Sequence, residues 1–400
     1  MSTNLPNEII FEILSRLPAK SLLQFRCVSK LWCNEISEFD FIKMHLNQSI
    51  ERDNCNLFLA STPNVRLDNL LRMPLFLHIE TNLYCIQGNV FTEAIKFQDI
   101  SSFGFPLLKL VGSCQGLVCL IGRKELYFLN PSTREYKMVQ FDKVFDIGSS
   151  NAYGFSYDLV NDDYLFVQIV YKNEDKANEF GDYDIEINTY SISGHSGFMT
   201  GDIPRILNRK DPAVFLNGGL HWITDTVSRK IIALDIGEKV VREFLRPMEV
   251  DLNDHISVGV LGGQLCMMNN FYDSDVKIWI MKNYGVSDSW SKLYVMGNTV
   301  LDARESLHKS RPLCFARNGE ILFKCDTKLV LYDPKRKMST NLEIHGISDW
   351  GDIDNIVKHD DSLVGLKSGT FLVPIPDVEE GGANIKERFD STQVEVHADQ

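Results

Sequence analysis

Side chains able to do chemistry are present in this 400-residue chain, but they do not gather into a recognisable site. His221, beside Trp222 in the run GLHWI, carries the imidazole of a general base. Its counterparts in similar runs along the chain are ordinary apolar residues, which makes it a packed strand histidine. Asp162 and Asp163 offer two carboxylates. Adjacent residues on a strand point to opposite faces, so this pair reads as a polar hairpin turn. The nine cysteines are Cys27, Cys33, Cys55, Cys85, Cys114, Cys119, Cys266, Cys314 and Cys325. Most lie in apolar runs such as LVCLI and QLCMM, where a free thiol behaves as a small hydrophobe. No C-x-x-C pair occurs, and no histidine pair stands near a cysteine pair at zinc spacing, so no metal is expected. The cysteine usage indicates a reducing compartment, cytoplasm or nucleus. There is no G-x-x-x-x-G-K-S/T loop, no G-x-G-x-x-G after a strand, no G-x-S-x-G elbow and no H-E-x-x-H helix. The chain reads as non-catalytic, with no cofactor.

Hydrophobic residues make up 44% and charged residues 24%, the balance of a folded soluble protein. The formal net charge of −13 disfavours nucleic acid and anionic membrane surfaces as partners. The acid is concentrated: Asp158 to Glu186 holds nine acidic and two basic residues, and Asp377 to Gln400 seven and two. These read as a solvated loop and a flexible acidic tail, 377–400. No run approaches the ~20 apolar residues of a membrane span, and no secretory opening is evident.

The elements that must position any site fall into two textures. From Leu5 to Leu46 the sequence is helical, with Ile9, Ile10, Ile13, Leu14 and Leu17 at helical spacing and a second stripe in Leu22, Leu23, Phe25, Val28 and Trp32. Pro6 suits a helix start, Pro18 a stop, Ser29 an N-cap, and Asp40 the cap of a fourth helix. A unit this short cannot build a self-sufficient core. Either the rest of the chain or another protein must cover it. Residues 47–56 are polar and read as a linker.

From residue 57 to about 376 short apolar runs alternate with Gly, Asn, Asp and Pro turn residues. A turn glycine followed by an apolar strand recurs as Gly116-LVCLI, Gly219-LHWIT, Gly263-QLCMM and Gly319-EILFK, with Asp361-SLVGL as a degenerate fifth. YGFSYDLVNDDYLFVQIVY is a copy without the glycine, and residues 57–98 an irregular first copy. Such multi-strand repeats suggest propeller blades, each needing neighbours to bury its faces. The expected fold is mostly β: a small N-terminal three-helix unit followed by a six- or seven-bladed β-propeller-like domain. A two-sheet sandwich is the alternative, though about 320 residues is long for one.

The string LPNEIIFEILSRLPAKSLLQFRCVSKLWCNEI resembles an F-box, the helical module that docks on the Skp adaptor of cullin-based ubiquitin ligases. Leu5-Pro6, Ile9, Leu14, Leu17-Pro18, Leu22, Arg26, Val28, Lys30 and Trp32 fall in order and at the right intervals. The remainder is similar to the F-box-associated, kelch-like domain of plant F-box proteins, through GSCQGLVCL, LNPSTREY, YGFSYDLVNDDY, LNGGLHWI, SVGVLGGQLCMM and VKIWIMKNYGVSDSW. The Gly-Gly pair of a strict kelch pattern is intact only at Gly218-Gly219 and Gly262-Gly263.

The resemblance implies a substrate receptor of a Skp–cullin–F-box ligase that performs no bond chemistry. The adaptor, and through it cullin and RING subunits, would dock on Leu5, Pro6, Ile9, Ile13, Leu14, Leu17, Pro18, Leu22, Arg26, Val28 and Trp32, with Arg26 at the rim. A target protein would bind propeller loops, with the acidic stretch Glu174–Glu186 as one contact. The strings VKIWIMKNYGVSDSW and KMSTNLEI resemble plant F-box proteins that restrain defence by degrading immune receptors; similar strings occur in pollen F-box proteins that recognise style ribonucleases. A scaffold acting outside a ligase, and a propeller enzyme with carboxylates or histidines converging in its channel, are the other readings.

Overall fold

Short apolar runs ended by residues that accept left-handed backbone dictate strands and tight turns, and the computed structural model is accordingly built of small antiparallel sheets. It describes residues 6–62, 81–88, 91–97, 108–141, 151–172, 184–199, 207, 213–224, 230–250, 255–270, 275–297, 310–316, 318–325, 328–347, 352–366 and 370–373. Four helices come first: α1 (Asn7–Ser15), α2 (Ala19–Phe25), α3 (Lys30–Ser37) and α4 (Phe39–Arg52). Pro6 and Pro18 each sit one place before a helix, where a missing N–H costs nothing. Ser29 caps α3, its Oγ accepting the Trp32 N–H at 3.1 Å.

Two expectations about this region fail. Asp40 is not a cap: α4 starts at Phe39, and Asp40 lies in its first turn, where a carboxylate favours the helix dipole. Residues 47–52 are not linker but the last turns of α4, so the expected fourth helix runs on past Leu46. Their polar character is that of a solvated helix face, and Arg52 folds back to donate to the carbonyls of Ser15 (3.2 Å) and Arg16 at the end of α1. Only Asp53, Asn54 and Cys55 join α4 to the first strand.

Six sheets follow, so the propeller has six blades. Blade 1 is Asp352–His359, Asn56–Thr62, Asn82–Ile86 and Ile95–Lys96, inner to outer. Blade 2 is Lys109–Cys114, Leu117–Ile121, Glu125–Asn130 and Glu135–Phe141, with Thr370–Val373 added in parallel at its outer edge. Blade 3 is Ala152–Asp158, Asp163–Lys172, Asp184–Ser191 and Ser196–Met199. Blade 4 is Val214–Leu216, Gly219–Ile223, Lys230–Asp235 and Val240–Leu245. Blade 5 is His255–Leu261, Gln264–Asn270, Val276–Met281 and Trp290–Met296. Blade 6 is Ser310–Phe315, Ile321–Cys325, Lys328–Asp333 and Met338–Asn341.

The ring closes on blade 1, whose innermost strand comes from the far end of the sequence and pairs Val357 with Phe58. Cys55 and Cys314, 5.9 Å apart at Cα, come together where blade 1 meets blade 6. The degenerate fifth repeat, Asp361-SLVGL, is not a blade strand; blade 1 already has its second strand from Asn56–Thr62. That removes one copy from the repeat count.

The core is divided among the seams. Leu57 and Leu59 face blade 6, whereas Phe58 and Ala60 face blade 2. Val118 and Leu120 face blade 1; Leu117, Cys119 and Ile121 face blade 3. Alternate residues of one strand thus serve two interfaces, which is why strands such as LVCLI read as unbroken apolar runs. Two-residue turns with both φ positive, Gln115-Gly116, Asn217-Gly218 and Gly262-Gly263, join first to second strands. In blade 4 the turn glycine is therefore Gly218, and Gly219 begins the strand. Gly154 has a packing role: a Cβ there would lie 2.6 Å from Leu220 Cδ1 and 3.1 Å from Trp222 across the blade 3–4 seam. Gly154→Ala should lower stability by about 1–3 kcal/mol, read from a denaturant midpoint; an unchanged midpoint would mean that this seam has slack.

Candidate functional site

The helical unit contains its own small core, and the structure sorts the residues singled out from sequence. Leu14 and Leu22 are buried with Ala19, Ile36 and Phe41. Leu17, Arg26 and Trp32 are half-buried. The Trp32 ring meets Phe25 edge-on at 5.4 Å, and Leu17 gives its carbonyl to His45 Nε2 at 2.9 Å. Arg26 turns inward, donating to the Ile36 carbonyl at 3.3 Å, rather than standing at a rim. Pro6 and Pro18 are exposed, and so are Ile9 (47%), Ile13 (51%) and Val28 (69%). Leu5 lies outside the described residues. Leu31, 63% exposed on α3, extends the uncovered apolar surface and was not among the sequence candidates. Its position directly after Lys30, three from Val28, was the available signal. One turn of helix separates Ile9 from Ile13, so both project from one side of α1.

A strap from the far end of the sequence holds this unit on the propeller. Residues 360–366 leave blade 1 and cross to blade 2 beneath the helices. Leu363 joins Leu14, Ala19, Leu22, Ile36 and Phe41 in the helical core. Asp361 binds three ways: Oδ2 accepts the Ala19 N–H at the start of α2 (2.8 Å), Oδ1 accepts the Ser132 hydroxyl (2.6 Å), and its own N–H donates to Ser49 Oγ on α4 (3.0 Å). It therefore caps a helix whose own N-cap, Pro18, has no side chain to offer. On the propeller side the fully buried Asn130 donates to the carbonyls of Ser362 (3.1 Å) and Val364 (2.8 Å), and Glu135 accepts the Leu366 N–H at 2.6 Å. These partners all come from LNPSTREY. Gly116 must be glycine twice over: its φ is +81°, and a Cβ would lie 2.1 Å from that of Ser362. Lys358 and Asp53 pair across the same junction.

The channel between the inner strands holds a cavity of about 730 Å³, lined in part by Ile50, Glu51 and Asp53 at the α4 terminus. Its charged residues are Glu51, Asp53 and Asp360 with Arg311 and Lys358. Burial raises the Asp360 carboxyl above the ordinary carboxylate value, with Lys358 acting the other way. No histidine lines this cavity, and among the described residues no group of His, Cys, Asp or Glu is placed to hold a metal.

The sequence's other reactive candidates are occupied. His221 is fully buried in blade 4. Its Nδ1 lies 3.0 Å from the Val214 carbonyl, which can only accept, so Nδ1 carries the proton and Nε2 accepts from the Tyr284 hydroxyl at 2.8 Å. Tyr284 comes from the KNYGVSDSW loop of blade 5, making this a latch between blades. Asp162 and Asp163 form the hairpin tip that was expected: Asp162 has φ +52° and accepts from Tyr157, while Asp163 accepts from Ser193. Of the acidic stretch Glu174–Glu186, residues 174–183 lie outside the described residues, as does the tail 377–400.

Comparison with known proteins adds independent findings. Residues 2–44 match the F-box domain, and residues 79–359 match the F-box associated beta propeller domain. F-box protein CPR1 of Arabidopsis thaliana is 28% identical over 372 residues, covering 85% of this chain and 84% of that protein. A second F-box protein of the same plant is 27% identical over 387 residues, covering 87% and 89%. An F-box/kelch-repeat protein, also from Arabidopsis thaliana, is 28% identical over 307 residues, covering 72% and 79%.

Burial holds the His221 pKa at about 4, below its ordinary 6.5, with the backbone contacts acting the other way. The unfolded chain takes up this proton first as pH falls. The stability that goes with a neutral His221 is therefore fully present above pH 6.5 and lost between 6.5 and 4, by up to about 3 kcal/mol. Ring-carbon NMR, assigned with His221→Asn, should show His221 neutral in the native protein until pH nears 4; native titration near 6.5 would refute the latch.

Proposed function

The chain belongs to the plant F-box proteins that carry an F-box associated beta propeller domain, and we propose that it serves as the substrate-recognition subunit of a Skp–cullin–F-box ubiquitin ligase. The observation that carries this reading is the set of apolar side chains left open on α1 (Ile9, Ile13), on the turn before α3 (Val28) and on α3 (Leu31), while the strap packs against the core of the helical unit. A Skp adaptor on that surface would bring cullin and RING subunits. The target would be held at the propeller while a separate enzyme supplies the activated ubiquitin. The chain's contribution is then proximity and effective concentration, not bond chemistry.

The side chains divide their work accordingly. Leu14 and Leu22 hold the helices together, and the exposed set meets the adaptor. First-to-second-strand turns share their face with α4, so the strand ends that lead into residues 63–81, 142–151 and 173–183 lie at the opposite face. That face is free of the helical unit and suits target binding, because loops vary over a rigid scaffold. The target class is an immune receptor in negative regulation of plant defence, the reading its similarity to plant F-box proteins favours; the work is done in cytoplasm and nucleus.

Paired Ile13→Asp and Val28→Asp substitutions test this without disturbing the core, because both side chains are exposed. Each buried interface side chain is worth roughly 1.5–3 kcal/mol, so adaptor affinity should fall by at least about 100-fold with the melting temperature unchanged. Undiminished binding refutes the docking surface. The same variant should retain its target but no longer co-purify with cullin and ubiquitin conjugates; conjugates that persist would point to a different ligase contact.

A further inference from the structure

The core of the helical unit is not made by the helical unit alone. Leu363, 1% exposed, is one of the six buried apolar residues of its core cluster, and Asp361 caps α2 from 342 residues away. Both lie directly after the inner strand Asp352–His359, which reaches its place only by pairing with Asn56–Thr62 to close the ring. Asn130, Ser132 and Glu135 of blade 2 then hold the strap against the helices. In the order of synthesis, α1, α2 and α3 come first and their missing core residue comes last.

We propose that the strap 360–366 is an integral part of the docking module, so that the module becomes competent only once the propeller has closed. Without Leu363 the helices keep a hole bounded by Leu14, Leu22 and Phe41, and without Asp361 the first N–H of α2 loses its acceptor. A chain with an unfinished or opened propeller would therefore present a loosened docking surface. That an incomplete receptor would fail to engage the ligase rests on the adaptor reading above; the coupling of helices to strap does not.

The test is hydrogen exchange by mass spectrometry on the full chain, comparing residues 7–37 with blade 5, residues 255–296, as internal reference. Leu363→Ala should speed exchange in the helices by at least about tenfold and leave blade 5 unchanged, with Leu363→Met restoring most protection. Adaptor affinity should fall in parallel, by about tenfold or more. Helices that keep their wild-type protection in Leu363→Ala overturn the proposal. Should Leu363→Ala lose protection everywhere, Asp361→Ala, which removes the acceptor of the Ala19 N–H, decides: selective loosening of residues 7–37 supports the coupling, and no selective change overturns it. A wild-type chain that does not bind the adaptor, yet loosens in its helices on Leu363→Ala, leaves the coupling standing and refutes the adaptor reading.

Discussion

A helical unit of fewer than fifty residues has too little interior to bury all its apolar side chains, and the rest of the structure can be understood from how that shortage is met. One side of the unit is closed by its own chain, through Leu363 and the Asp361 cap. The other side, with Ile9, Ile13, Val28 and Leu31, stays open. A protein designed only for solubility would carry polar residues there.

The propeller solves a similar problem by repetition. A four-stranded sheet with two apolar faces cannot stand alone, and each blade lends one face to each neighbour. The seams are specific as well as apolar. The neutral His221 bridges Val214 and Tyr284 between blades 4 and 5, and Trp290 Nε1 donates to the Leu245 carbonyl at 2.9 Å across the same seam. Closure needs Asp352–His359 to find Asn56–Thr62, and Cys55 and Cys314 come together at that point. The junction with α4, the ring closure and the strap thus lie within a few residues of one another.

Much of this was legible in the sequence because it follows from local rules. Turn glycines with apolar runs behind them mark the second strands of blades 2, 5 and 6, and Ser29 caps α3 as its type requires. Two features that local rules cannot reach were misread. Asp361-SLVGL has the composition of another strand; only the long-range pairing of Asn56–Thr62 with Asp352–His359 makes it surplus. Residues 47–52 look like linker because the propeller and α1, both distant in sequence, supply the partners that keep them helical. Burial within the helical unit was also undetermined, since Leu14 and Ile13 are adjacent and equally apolar, and only the packed structure separates the inward one from the outward one. The roles of Asn130, Ser132 and Glu135 were hidden for the same reason: LNPSTREY looks like an ordinary turn until the strap is laid against it.

The claim on which the account turns is that the aliphatic side of α1 and α3 is an interface for a separate subunit. Hydrogen-exchange footprinting of the chain with and without purified Skp adaptor measures this directly. The account predicts added protection confined to α1, α3 and the turn between α2 and α3, with the blades unchanged. Protection falling on the blades instead, with α1 and α3 exchanging as they do in the free chain, would contradict it.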